Sequence, residues 1–325
     1  MKQQQFEAQF SPLWQQFDQT LRQLEGEALE AATQASGDFA ADYRRLCHHL
    51  SLARERQYSS QLVERLNALV LRGHQQLYHR KTELLASFLR FVVGDFPRLV
   101  RREWRLCLLA SALLYLPGLL LFVSVWRYPE LIYAMLDPYR VAQFESMYDP
   151  AAEHVGRLRD AGSDLSMFGF YIQNNIGVSF RTFAGGLLYG LGSIFFLAYN
   201  GALFGALAAH LLAMDYHTTF FPFVVGHGAF ELTAIAFSGA AGLKLGWALL
   251  APGRQPRLVA LKAAARVAIK LMYGVILMLV MAAFVEAFWS SSALVAPWGK
   301  YLVGATLWAF VLLYFVRMGR GGYGS

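Results

Sequence analysis

Two ionisable residues, His227 and Glu231, lie four positions apart in an otherwise apolar stretch. On an α-helix this spacing places both side chains on one face, where an imidazole and a carboxyl group can share a hydrogen bond, pass a proton or bind one ion. A charged group at the centre of a bilayer costs roughly 2.5–3.5 kcal/mol. We therefore expect Glu231 to be paired, protonated or turned towards a polar cavity.

Other polar residues interrupt apolar stretches and can join this pair in one predicted polar cluster: His210, Glu286, Asn174, Asn175 and Asn200. Three interpretations stay open. The pair can tie helices together by hydrogen bonding, or Glu231, His227 and Glu286 can form a proton or ion pathway. A metal site built from His210, His227 and Glu231 is the third, but the sequence lacks the His-Glu-x-x-His motif of metalloproteases. We favour the hydrogen-bonded pair and predict no catalytic residue, metal ligand or cofactor.

Glycines recur at four-residue spacing in the same half of the chain. They form three pairs: Gly186 and Gly190, Gly201 and Gly205, Gly242 and Gly246. This spacing lets helix backbones approach closely in lipid, where no hydrophobic effect drives helices together. We expect these pairs to pack helices within one subunit, and a homodimer through one of the glycine faces is the alternative.

The composition indicates that membrane helices position these residues. Of the 325 residues, 56% are hydrophobic and only 16% are charged, which is too apolar for a water-soluble protein of this length. The net charge of +7 arises from basic residues that cluster beside apolar segments, where they can meet lipid headgroups. We therefore predict a protein of the lipid bilayer that does not bind nucleic acid.

The first part of the chain predicts a soluble helical domain. Residues 1–96 show three or four amphipathic helices, the first beginning at Ser11 and Pro12, the second near Asp38 and the third near Gln57. Apolar residues alternate with arginines over 82–105, which predicts a helix along the membrane surface. We place a cytoplasmic domain at 1–96, with this juxtamembrane helix at its end, and a transmembrane domain at 97–325.

The charge pattern predicts the orientation of the first crossing. Five arginines precede the first apolar span at 106–126, which places the N-terminus in the cytoplasm. The following connection, about 127–166, is rich in acidic residues and prolines, so we expect it outside the cytoplasm. Residues 167–180 are short and interrupted by polar side chains, which predicts an interfacial helix.

The number of remaining apolar stretches does not fit the orientation that the charges predict. The stretches lie at 182–214, 219–250, 271–289 and 301–316. Basic residues after Leu250 place the next loop in the cytoplasm, so an odd number of crossings must precede it. We resolve this by a helix break at Asn200 and Gly201. The result is an all-α polytopic membrane protein with about five full crossings, a short broken or re-entrant helix, and both termini in the cytoplasm.

Four segments of the membrane half occur in a characteristic order. They are NNIGVSFRTFAGGLLYGLGS at 174–193, YNGALFGALAAHL at 199–211, HGAFELTAIAFSGAAGLKLG at 227–246, and FVEAFWS around Glu286. Their order and spacing resemble the stage II sporulation protein M family of bacterial and archaeal membrane proteins over about 170–291. The resemblance implies a location in the bacterial cytoplasmic membrane. It also implies that the chain is related to a subunit of a membrane complex for cell-wall remodelling in spore formers, although most members of the family have no established activity.

These observations favour a non-enzymatic membrane subunit or scaffold that organises other membrane or envelope proteins and is linked to envelope remodelling. No phosphate-binding loop or other nucleotide signature is present, so any ATPase is a separate partner. The alternative is a transporter or an ion- or proton-conducting protein that uses the His/Glu cluster. An intramembrane metalloenzyme is a remote third interpretation.

Overall fold

A computed structural model of the chain describes residues 1–26, 39–151, 164–292 and 295–320, and the regular elements in these ranges are all helical. The chain forms two compact units, Met1–Arg90 and Phe91–Ser325. The predicted all-α class is confirmed.

The first unit consists of three helices around an aromatic core: α1 (Gln3–Gly26), α2 (Phe39–Glu55) and α3 (Ser60–Arg90). The prediction that the first helix begins at Ser11 and Pro12 is wrong, because α1 begins at Gln3 and Pro12 lies inside it. The additional turns bury Phe6 completely against the rings of Trp14 and Tyr58. This burial of an aromatic side chain extends the helix beyond the sequence signal for its start.

The first unit contains a buried histidine that accepts a hydrogen bond. His49 is 6% exposed, its ring lies on that of Phe10, and its Nδ1 accepts a hydrogen bond of 3.1 Å from Trp14 Nε1. An indole N–H only donates, so Nδ1 must be unprotonated here. Burial, with smaller contributions from the charges of His48 and Arg45, lowers the pKa of His49 below its ordinary value of 6.5.

We expect the first unit to lose stability as the pH falls below about 6.5, because the unfolded state then binds a proton that the folded state excludes. Hydrogen exchange of the α1–α3 amides in the full-length protein, corrected for intrinsic rates, measures this loss. His49→Leu should flatten the pH dependence. Equal protection of these amides above and below the ordinary pKa of histidine in the wild-type protein would contradict the account.

The second unit contains nine α-helices in the described residues: α4 (Phe96–Arg102), α5 (Trp104–Arg127), α6 (Ile132–Met135), α7 (Pro138–Tyr148), α8 (Asp164–Ala184), α9 (Leu191–Ala213), α10 (His217–Leu250), α11 (Arg257–Phe284) and α12 (Pro297–Arg317). A π-helical segment, Val285–Ser290, continues α11. Five of these helices are long and apolar enough to cross a membrane: α5, α9, α10, α11 with its continuation, and α12.

The central helix of this unit is α10, which contacts α5, α8, α9, α11 and α12. Small residues such as Gly239 and Ala240 occur on its surface and are buried. They let the neighbouring helices approach closely. His227 and Glu231, which belong to α10, are therefore surrounded by other helices.

The predicted helix break at Asn200 and Gly201 is wrong. Helix α9 runs through both residues, and Asn200 Nδ2 donates within the helix to the Phe196 carbonyl at 2.6 Å. The chain reverses earlier, over 185–190, where Gly190 has a φ of 86° that suits glycine. This turn joins α8 to α9.

The interfacial helix predicted at 167–180 is part of the longer helix α8, which packs against α9, α10 and α11. At one end Phe168 contacts Phe284 and Phe288, and at the other the Thr182 carbonyl accepts a bond of 2.6 Å from Ser193 Oγ. With 21 residues α8 is about 31 Å long. The predicted bounds of this short helix are therefore corrected to Asp164–Ala184.

The surface helix predicted over 82–105 is divided among three α-helices and a π-helical turn, Phe91–Asp95. Phe96 of α4 is 1% exposed and its ring contacts Phe237 and Phe315, so this part of the segment belongs to the packing of the second unit. The exposed apolar side chains near the end of α3 are Leu84, Leu85, Phe88 and Leu89.

Candidate functional site

Three ionisable side chains meet inside the second unit: His227, Glu231 and Glu286, hereafter the His–Glu cluster. One nitrogen or oxygen of each lies within 4.8 Å of the others. His227 Nε2 is 3.9 Å from Glu231 Oε2, which is too long for a hydrogen bond. His227 and Glu286 are 5% and 9% exposed. Two carboxyl groups and an imidazole therefore share one largely buried space.

Helix geometry explains how the cluster forms. His227 and Glu231 lie four residues apart on α10 and so share a face. Glu286 and Ser290 have the same spacing on the π-helical segment after α11, and Ser290 Oγ is 3.1 Å from His227 Nδ1. A π-helical turn widens the helix and is frequent at functional sites. Two polar pairs on neighbouring helices thus face each other.

Two buried residues from other helices adjoin the cluster. Asn175 of α8 is 3% exposed and is a neighbour of the Glu231 carboxyl group. Its Oδ1 accepts from Asn174 Nδ2 at 3.0 Å, whereas its Nδ2 has no hydrogen-bond partner among the described residues. Lys300 of α12 donates to the Ser290 carbonyl at 2.7 Å and so fixes the π-helical segment.

Glu231 also faces a partly open cavity of about 990 Å³ between α5, α7, α8, α9 and α10. The wall is mostly apolar, and its polar members include Asn174, Asn200, Arg140 and Arg181. Glu231 is the member of the cluster that lines this cavity, so small ligands in the cavity can reach its carboxyl group.

The structure does not bring the whole predicted polar cluster together. His210 lies away from His227, and its Nε2 is 2.8 Å from Glu145 Oε1 on α7. The set of His210, His227 and Glu231, which was the third interpretation of the sequence, is therefore not assembled, and Glu286 rather than His210 lies beside His227 and Glu231. Ser290 and Lys300 were missed, although the four-residue spacing from Glu286 to Ser290 gave a signal for the first.

The predicted glycine pairs lie at helix contacts within one chain. A Cβ added at Gly201 or Gly205 would collide with the carbonyl oxygens of Leu114 and Gly118 on α5. Gly186 and Gly190 contact α10 at a second pair, Gly242 and Gly246. Gly118 was not predicted, because it has no glycine partner at the expected spacing in its own helix.

A family model described as stage II sporulation protein M matches residues 109–291, which is more than half of the chain. The chain belongs to the stage II sporulation protein M family. The resemblance in the sequence is thus confirmed, and this family member is an integral membrane protein.

The match to stage II sporulation protein M includes the three residues of the His–Glu cluster and ends before α12. A second family model, described as a domain of unknown function, matches residues 4–79 of the first unit. No curated protein and no solved structure matches the chain.

Proposed function

We propose that this member of the stage II sporulation protein M family is a multi-pass subunit that organises partner proteins in the bacterial cytoplasmic membrane, for envelope remodelling. The observation that carries the proposal is that α7, in the acidic connection, is fixed to one end of the membrane helices. The first unit has its own core, including Trp14, Phe17 and Leu46, and is a second ordered surface that a partner can bind.

The positions of basic residues support an orientation with both termini in the cytoplasm. Arg98 and Arg101 of α4 donate to the carbonyls of Gly319 and Phe315 at the end of α12. The basic loop after Leu250 leads into α11, which begins at Arg257. Positive residues favour the cytoplasmic side. The five membrane-length helices α5, α9, α10, α11 and α12, with the less apolar helix α8 packed among them as a sixth, would then run alternately outwards and inwards, with both termini in the cytoplasm.

The opposite end carries a surface suited to docking. Glu145 of α7 pairs with His210 of α9, and Thr219 Oγ1 donates to the Tyr148 carbonyl at 2.5 Å. The ring of Tyr148 packs edge-on against Phe220. Because α7 is held in place, a partner would not have to order it on binding. Tyr139, 77% exposed on this helix, is the type of side chain that dominates interface energies.

We expect Tyr139→Ala to lower recovery of a bound partner at least about tenfold when the full-length protein is purified from its host in mild detergent. The matched control is Leu116→Ala, an exposed residue in the apolar helix α5. The control should recover the same partner as the wild type. A wild-type protein that is recovered alone, from a host whose envelope is unaffected by deletion of the gene, would contradict the proposal. A separate ATPase is among the partners expected, since the chain has no nucleotide motif.

A second candidate function, transport of protons or cations, is favoured by the cavity that reaches Glu231. Buried carboxyl groups are typical of ion pathways in membranes. Flux into proteoliposomes should then be abolished by Glu231→Gln in a protein that still folds. If the wild-type protein shows no flux of protons or monovalent cations above that of empty liposomes, the scaffold function alone stands.

A further inference from the structure

We propose that His227, Glu231 and Glu286 bind a divalent transition-metal ion, Zn²⁺ or Mn²⁺, inside the membrane helices. One imidazole and two carboxylates form a ligand set that these ions accept. This inference goes beyond the scaffold function and does not depend on it.

The orientation of His227 is the first argument. Its Nδ1 is held by Ser290 Oγ at 3.1 Å, so Nε2 is the nitrogen on the side of Glu231. Histidines that bind metals commonly use one ring nitrogen for the ion and bond the other to a neighbouring group. Lys300 in turn holds the Ser290 carbonyl. The histidine is thus oriented from outside the cluster.

The distances between the three candidate ligand atoms are slightly longer than those around a bound ion, so the site would contract on binding. Ligand atoms around Zn²⁺ are about 3.4 Å apart, since each lies about 2.0–2.2 Å from the metal. The three atoms here lie within 4.8 Å of one another. A movement of the glutamate side chains of at most about 1.4 Å closes the difference between 4.8 Å and about 3.4 Å, and Glu231, which faces the cavity, has room to move.

The buried side-chain amide of Asn175 provides independent evidence for a ligand. It is 3% exposed, adjoins Glu231, and its Nδ2 has no partner among the described residues. The two ends of an amide side chain are interchangeable in shape. A flip of Asn174 and Asn175 together presents Asn175 Oδ1 to the cluster and keeps their mutual hydrogen bond. Asn175 would thereby supply a fourth ligand.

The negative charge of an ionised Glu231 also requires a compensating positive charge. Glu231 has no Lys or Arg partner within ion-pair distance in the described parts of the chain, and His227 lies beyond hydrogen-bond distance. An ionised carboxylate in a buried site needs a proton or a cation. A divalent ion beside Glu231 meets this need.

The test uses full-length protein in detergent, first freed of metal by a chelator and then titrated calorimetrically with Zn²⁺ and with Mn²⁺. We expect about one ion of at least one of the two metals per chain, and Co²⁺ as a substitute should give the visible absorption of a nitrogen- and oxygen-ligated site. His227→Gln and Glu286→Gln should each weaken binding at least about tenfold. Ser290→Ala, which removes no ligand, should weaken binding in the same direction.

Two controls separate this site from adventitious binding. His217 and Asp215 form an exposed pair 3.0 Å apart outside the cluster, and His217→Ala should leave the titration unchanged. His210→Gln removes a histidine outside the cluster and should also have no effect on metal affinity. Absence of stoichiometric binding in the wild type would overturn the proposal. Binding that survives His227→Gln and Glu286→Gln in folded protein would overturn it as well.

Discussion

Replacement of Gly201 by alanine is expected to destabilise the second unit by at least about 3 kcal/mol, the upper part of the usual range for overpacking. The added Cβ collides with the Leu114 carbonyl, and the same change at Gly205 collides with the Gly118 carbonyl. Both obstacles are backbone atoms, so no rotamer change can relieve the clash. Helix α9 would have to move away from α5 along their whole contact. The free energy of unfolding in detergent micelles measures the effect.

The matched control for this substitution is Gly177→Ala in α8, where a Cβ would meet nothing within 4 Å. Alanine has the higher helix propensity, so this variant should be neutral or slightly more stable than the wild type. Equal stabilities of the two alanine variants would show that α5 and α9 do not pack through Gly201.

The second large effect is expected at the ion pair between Lys244 and Glu103. Lys244 Nζ donates to both carboxylate oxygens at 2.8 Å, and Glu103 is 9% exposed. Lys244→Met would leave a buried carboxylate without its partner, at a cost of about 3–5 kcal/mol. Unfolding free energies of the single and double variants form a double-mutant cycle that measures the coupling.

Two variants make the test of the ion pair specific. Lys244→Met combined with Glu103→Leu removes both charges and should recover most of the lost stability. Arg102→Met removes a cation that is 3.8 Å from the same carboxylate but largely exposed, and should cost less than about 1 kcal/mol. If Lys244→Met were no more destabilising than Arg102→Met, the buried pair would not contribute as described.

Local sequence patterns predicted the parts of the site that depend on one helix. The spacing of His227 and Glu231 fixed a shared face, and the placement of Glu286 in an apolar stretch indicated a buried carboxyl group. The structure brings these three side chains together. Contacts between distant segments were not predictable in the same way. His210 pairs with Glu145, which is 65 positions away and belongs to a connection characterised only by its net charge.

The errors in the fold have a common physical origin. Residues Asn174 and Asn175 lower the mean hydropathy of α8, so the segment resembled an interfacial helix, although Asn175 is buried beside Glu231. Gly201 resembled a helix breaker, although it is a contact point for α5. Polar and small residues in membrane helices therefore serve contacts that hydropathy does not record.

Labelling of single cysteines in intact cells tests the central claim most directly, which is that the membrane helices carry α7 on the outer side and the basic loop on the inner side. Cys47 and Cys107 are first replaced, and a cysteine is introduced at Tyr139 or at Arg257. We predict that a membrane-impermeant maleimide labels Tyr139→Cys in intact cells and Arg257→Cys only after permeabilisation. Labelling of Arg257→Cys from outside would contradict the orientation, and with it the proposal that the chain joins partners on the two sides of the membrane.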